Sequence, residues 1–145
     1  MKKYELTSET KIVFGHILYR IKALSSFGCV SAGDLGGFLE SEKNLSQNGN
    51  AWVFGNAEVY GNAEVSEIGA IFWIGAVGSR NDTATFFRCR DGSIKVVCGC
   101  FFGNLDEFAK KVRKTHGAND HAKVYMLAID MAKIRISTEK EKTEE

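Results

Sequence analysis

Between residues 49 and 66 the apolar positions recur every six residues: Ala51, Ala57 and Ala63 form one row, Val53, Val59 and Val65 a second, and Trp52, Glu58 and Glu64 stand between them. Spacing by two places the Ala and Val of each unit on one side of a short extended segment and the intervening residue on the other. Each unit opens with Gly-Asn, at 49–50, 55–56 and 61–62, a pair that readily takes the backbone through positive φ, so the chain is expected to bend every six residues. A short fixed period predicts a solenoid, here three bent strands to a triangular coil. Stepping by six carries the rows back to Leu45 and Leu39 and forward to Gly69, with Ile71 continuing the valine row; that makes roughly two coils. A stub of that length leaves open ends and exposes Trp52, Phe54 and Tyr60 at its sides or turns, which predicts a homo-oligomer, a trimer or a multiple of one, to cover them.

The flanking patterns differ. Residues 11–24 alternate Ile17, Tyr19, Ile21 and Ala23 with His16, Leu18, Arg20 and Lys22, which predicts a hairpin turning at Gly15 and capping the solenoid. Ala70-Ile71-Phe72-Trp73-Ile74 has the density of a buried strand, and Gly78-Ser79-Arg80-Asn81-Asp82 is a polar turn. A second hairpin is expected over 83–99, with a two-residue Asp91-Gly92 turn. That register sets Arg88 beside Lys95 on one face and gathers Phe87, Cys89, Ile94, Val96 and Cys98 on a core face. Asn104 with Glu107 predicts a capped helix whose buried stripe is Leu105, Phe108, Ala109 and Val112, ending at Gly117. A second helix runs from Asn119 or Asp120 to about Ile136 with Val124, Leu127, Ala128, Met131 and Ile134 in register. The chain therefore divides into a β-rich cap (1–32), a hexapeptide-repeat segment (33–69), a β-hairpin and two-helix domain (70–137) and a charged tail (138–145) expected to be disordered.

Composition narrows the classes. With 145 residues, 44% hydrophobic and 11% aromatic, the chain can bury a core, while a net charge of +1 and a pI near 7.7 exclude a general nucleic-acid glove or an acidic mimic. Met-Lys-Lys is followed by Tyr-Glu-Leu-Thr rather than an apolar segment, and no apolar run reaches the roughly 20 residues needed to span a bilayer, so a soluble cytoplasmic protein with reduced cysteines is expected.

The run from Ala32 to Gln47, Ala-Gly-Asp-Leu-Gly-Gly-Phe-Leu-Glu-Ser-Glu-Lys-Asn-Leu-Ser-Gln, leading into Gly-Asn-Ala-x-Val repeats, resembles phage and prophage accessory proteins. The resemblance implies a left-handed β-helix between a small β-rich head and a C-terminal domain, an α+β chain overall, and a host cytoplasmic location. The C-terminal plan, strands followed by Cys-Gly-Cys-Phe-Phe-Gly-x-Leu-x-Glu-Phe and two helices, is similar to sponges of the Thoeris anti-defence type, which implies sequestration of a nucleotide-derived signal.

Hexapeptide solenoids also serve as transferases with a histidine base, but His16, His116 and His121 all lie outside the repeat, so no catalytic residue is assigned. Cys98-x-Cys100 with Cys89 on the adjacent strand lacks the two-to-four-residue knuckle of a zinc site and reads as small apolar packing, with no metal or cofactor expected. The turn at 78–85 concentrates amides, hydroxyls and a guanidinium suited to an anion. Its Ser79, Arg80, Asn81 and Thr83, with Arg88, Phe101 and Arg113 from the same domain, form the expected ligand site, basic groups for phosphate and a ring for a base. The expected function is non-enzymatic capture of a nucleotide-derived immune signal by a counter-defence protein. An oligomeric inhibitor that occludes a host defence complex is the alternative, and a transferase-like enzyme the third reading.

Overall fold

The computed structural model describes residues 1–99 and 101–136. Tyr4–Val13 (β1) and His16–Ala23 (β2) pair antiparallel around Phe14-Gly15, so the expected hairpin is present with a first strand that reaches back to Tyr4. Tyr4 is fully buried and its hydroxyl donates to the Leu45 carbonyl at 2.6 Å, which ties the strand down onto the repeat segment. Leu35–Leu39 (β3) adds antiparallel to β2, and the two residues Glu58–Val59 (β4) add parallel to β3. A second sheet follows in sequence order, antiparallel throughout: Ile71–Val77 (β5), Asp82–Arg88 (β6), Ile94–Cys98 (β7) and Phe101–Asn104 (β8). Leu105–His116 (α1) and Asp120–Arg135 (α2) complete an α+β chain.

The left-handed β-helix expected from the repeat does not form. The apolar rows do point inward, with Ala51, Val53, Ala57, Val59, Ala63 and Val65 at most 1% exposed, yet the three units supply only β4. Gly37 N–H donates to the Val53 carbonyl at 2.7 Å, Phe38 N–H to that of Ala57 at 3.0 Å, and Leu45 bridges Val65 in parallel. On the other side the segment meets an antiparallel hairpin instead of another coil. Glu64 N–H donates to the Arg88 carbonyl at 3.0 Å, Arg90 N–H to that of Asn62 at 2.9 Å, and Ala63 bridges Cys89. A solenoid propagates only while each coil offers the same edge to the next, and here two different partners close the stack.

Burial also removes the surface on which a trimer was expected. Trp52 is 3% exposed between the edges of Tyr4 and Phe27, and Tyr60 is fully buried between His16 and Phe102, with ring centroids 4.7 and 4.9 Å away. Phe54 stacks on Trp73 at 5.0 Å.

The second sheet is a middle layer, buried on both faces. Ile71, Phe87, Cys89 and Val97 pack with the repeat segment, whereas Val77, Ala84, Phe86, Ile94, Val96 and Cys98 pack with the helices. The expected two-residue turn is off by one. Cys89 N–H donates to the Ser93 carbonyl at 2.8 Å, leaving a three-residue loop with Gly92 at φ 89°, so Phe87 faces Lys95 and Arg88 faces Ile94. A one-residue slip exchanges faces, which is why Phe87 and Cys89 separate from Ile94, Val96 and Cys98.

Asn104 and Glu107 form the expected reciprocal cap of α1, at 2.8 and 2.9 Å. In α2 the inward residues are Ala122, Tyr125, Ala128, Ile129 and Ala132, while Val124, Leu127, Met131 and Ile134 face solvent, the reverse of the expected stripe for all but Ala128. A helix apolar nearly all round gives no periodic signal of its inner face; the small alanines let it lie close against β5. The tail expected to be disordered, 138–145, and Cys100 lie outside the described residues. No helix among the described residues is long and apolar enough to cross a membrane.

Candidate functional site

At one end of the second sheet, the turn after β5, the link between β7 and β8, one side of α1 and the middle of α2 converge around a cleft of about 260 Å³. The turn contributes Ser79 and Arg80, and the strands contribute Asp82, Cys98, Gly99 and Phe101. Phe108, Lys111, Val112, Thr115 and His116 come from α1, and Tyr125 from α2. The α1 residues follow from helical spacing: Lys111 and Thr115 stand four apart, next to the row in which Phe108 and Val112 enter the core.

The turn is shaped by its backbone. Gly78 sits at φ 76°, and a β-carbon there would collide with the Tyr125 hydroxyl, so only glycine lets the turn lie over that ring. Asn81 also takes a positive φ of 57°, a conformation asparagine tolerates better than most residues. The turn thus reverses tightly, sending Arg80 to the cleft and Asn81 to the other side.

The lining has two characters. Phe101 and Phe108 lie 5.2 Å apart, Tyr125 meets Phe108 edge-on at 5.4 Å, and His116 stacks on Tyr125 at 5.8 Å. Around this aromatic floor stand the cations of Arg80 and Lys111, the carboxylate of Asp82 and the imidazole of His116. The Cys98 thiol donates to the Tyr125 hydroxyl at 3.8 Å. Burial, then the proximity of Cys98 and Asp82, hold that hydroxyl above the usual phenol range; it stays protonated at any physiological pH and is available as a donor.

Of the residues expected to bind ligand, Ser79, Arg80 and Phe101 meet in this cleft. Asn81 and Thr83 line an adjoining cleft of about 210 Å³ with Lys11, Asn56 and Glu58; Asp82 and Gly99 belong to both. Arg88 lies elsewhere: it is buried at the far end of β6 and its guanidinium pairs with Glu67 at 2.9 Å. Arg113 is exposed on α1 and lines neither cleft. The cation that α1 supplies is Lys111. Its place in the basic 110–114 run was visible, but the run alone does not say which member faces the sheet. Tyr125, Thr115 and His116 carried no signal that distinguished them from helix packing.

Cys29 and Cys89 are free thiols, Cys29 exposed and Cys89 buried, and burial raises the Cys89 thiol above its ordinary value. No group of three or more His, Cys, Asp or Glu among the described residues is arranged to hold a metal ion. Compared with known proteins, the chain matches no family model and no curated protein.

Proposed function

We propose that this chain is a non-enzymatic binding protein that captures a small phosphate-bearing, nucleotide-type ligand in the cleft between the second sheet and its helices. One observation carries the reading: Arg80 from the turn after β5 and Lys111 from α1 line the same cleft, together with the rings of Phe101 and Phe108. Two cations can neutralise a phosphate with charge-assisted hydrogen bonds while a ring takes the base by stacking. At about 260 Å³ the cleft lies just under the range usual for drug-sized ligands, so it suits a single nucleotide moiety. Capture rather than turnover is supported by its buried thiol, engaged with Tyr125, and by a tyrosine held protonated. In the phage setting that the Ala32–Gln47 run and its repeats suggest, the biological role is sequestration of a nucleotide-derived defence signal.

Isothermal titration with AMP and with cyclic ADP-ribose tests the reading. Arg80→Ala and Lys111→Ala are each expected to weaken binding by about tenfold to a hundredfold, while folding stability stays within about 0.5 kcal/mol. Arg113→Ala should leave the affinity unchanged, and recovered ligand should be chemically intact. Absence of heat with both probes, or equal affinity in the Arg80 and Lys111 variants, overturns the proposal; co-purification of a host protein lost on substitution in the repeat segment would establish occlusion in its place.

A further inference from the structure

A second cleft, of about 390 Å³, opens where the first repeat unit meets β5, and it shares no lining residue with the Arg80–Lys111 cleft. Its walls are apolar: Trp52 and Phe54 come from the repeat, Ile71 and Trp73 from β5, and Ile68 from the turn before it. Phe54 and Trp73 stack at 5.0 Å and are only half-buried, so the pair still presents ring surface to the cleft. The polar side chains that line it, among the described residues, are Cys29, Asn50 and Arg135, and none is acidic. Arg135, the last residue of α2, lays its guanidinium against the Gly69 turn, with Nη1 3.6 Å from where a β-carbon of that glycine would stand. It also lines an adjoining recess with Glu67, but the Glu67 carboxylate is held by Arg88 at 2.9 Å, and among the described residues Arg135 has no ion-pair partner.

We propose that this cleft binds an aromatic monocarboxylate, its ring body seated among Trp52, Phe54 and Trp73 and its carboxylate on the Arg135 guanidinium. Each part of the ligand answers a feature of the lining. Walls made of rings favour a planar aromatic body, which they meet by stacking or by edge contact. A guanidinium presents a fork of donors that matches a carboxylate with two parallel hydrogen bonds. One cation and no acid set the charge of the ligand at a single negative, whereas the two cations suited to a phosphate line the other cleft. Arg135 is exposed and Trp52 buried, so the ring body takes the inner part and the carboxylate the part nearest water. The volume lies inside the range of about 300–1,000 Å³ usual for small-molecule sites.

Isothermal titration of the full chain with naphthalene-1-acetate and with its neutral amide reads the outcome. The acetate is expected to bind with a micromolar dissociation constant, and the amide about tenfold to a hundredfold more weakly. Arg135→Gln should abolish that difference by bringing the acetate to the affinity of the amide. Ile68→Glu sets a carboxylate into the lining and should weaken the acetate by about tenfold while leaving the amide little changed. Both positions are exposed, so each variant should keep the parental circular dichroism spectrum; if one does not, the other carries the reading. Trp52 and Trp73 are the two tryptophans of the chain and both line this cleft. Their indole N–H resonances should therefore shift on binding, in Arg80→Ala as in the parent, which separates this site from the nucleotide cleft. Absence of heat with the acetate, equal affinity for acetate and amide in the parent, parental acetate affinity in Arg135→Gln, or unmoved indole resonances overturns the proposal. Tighter binding of decanoate than of naphthalene-1-acetate would assign the cleft to an acyl chain and overturn the ligand class.

Discussion

The two sheets have four strands each, but they are closed by different kinds of contact. The first is sealed by backbone. A β-carbon on Gly36 would stand 2.6 Å from the Val53 carbonyl oxygen, and one on Gly37 would stand 2.5 Å from that of Ala57 and 2.8 Å from a Val53 methyl. Nothing larger than glycine allows β3 to lie against the repeat segment. The second sheet is sealed by side chains on both faces, and large rings and a short helix pair do not fill the space at its end. The cleft with Arg80 and Lys111 and the exposed apolar side of α2 both belong to this half. Close backbone contact fixes β3 against the repeat segment but does not empty that half of recesses, since Cys29, Asn50, Trp52 and Phe54 line a cleft of about 390 Å³ with Ile71, Trp73 and Arg135; what side-chain packing around helices adds in the second half is a recess that carries cations beside its rings.

Substitution at the sealed interface should break the contrast most severely. Gly37→Ala is expected to cost about 3 kcal/mol, because a carbonyl oxygen and a branched side chain cannot both withdraw, and urea denaturation would measure it. A loss below about 1 kcal/mol would show the first half to be as adaptable as the second.

The pair Arg88–Glu67 tests the border between the halves, since β6 is packed on both sides there. Arg88 is 9% exposed and its partner carboxylate about one-third exposed. Arg88→Ala should therefore destabilise by about 1–3 kcal/mol, less than a fully buried pair would, while nucleotide titration of the folded variant stays at parental affinity. A loss of affinity without loss of stability would return Arg88 to the binding site.

The smallest effect sharpens the comparison from inside the first half. Tyr60 is fully buried and its hydroxyl has no hydrogen-bond partner; burial, with the Glu58 and Glu40 carboxylates nearby, pushes its pKa up to about 12. A buried donor without a partner contributes a desolvation cost and no bond, so Tyr60→Phe should be neutral or stabilise by up to about 1 kcal/mol in thermal denaturation. Destabilisation beyond that would reveal a water or ligand bound to the hydroxyl.

Much of the local structure was legible because short-range chemistry dictates it. Gly15 marks the first hairpin, Asn104 and Glu107 cap α1, Gly117 ends it, and the Ala and Val rows of the repeat point inward at their spacing of two. The polar turn at 78–82 was equally visible, and its Ser79 and Arg80 line the cleft. Such signals act within a few residues, where turn preference, capping and side-chain alternation leave few alternatives.

What those signals do not carry is the identity of the partner surface. The rows at 51–65 prescribe an apolar inside, and only the arrival of the β6–β7 hairpin decides that the inside belongs to a mixed core and not to another coil. The alternation in β6 and β7 is compatible with two registers, and the choice between them, which exchanges the faces of Phe87 and Ile94, is made by a left-handed Gly92 together with burial on both sides. In α2 both faces are apolar, so packing against β5 selects the alanines and leaves Leu127 and Ile134 outside. Lys111 joins Arg80 across 31 positions of sequence only because a sheet end and a helix meet there. A hydrophobic pattern states that a side chain must leave water; the free energy that settles where it goes is shared among surfaces far apart in the chain and exists only once they are assembled.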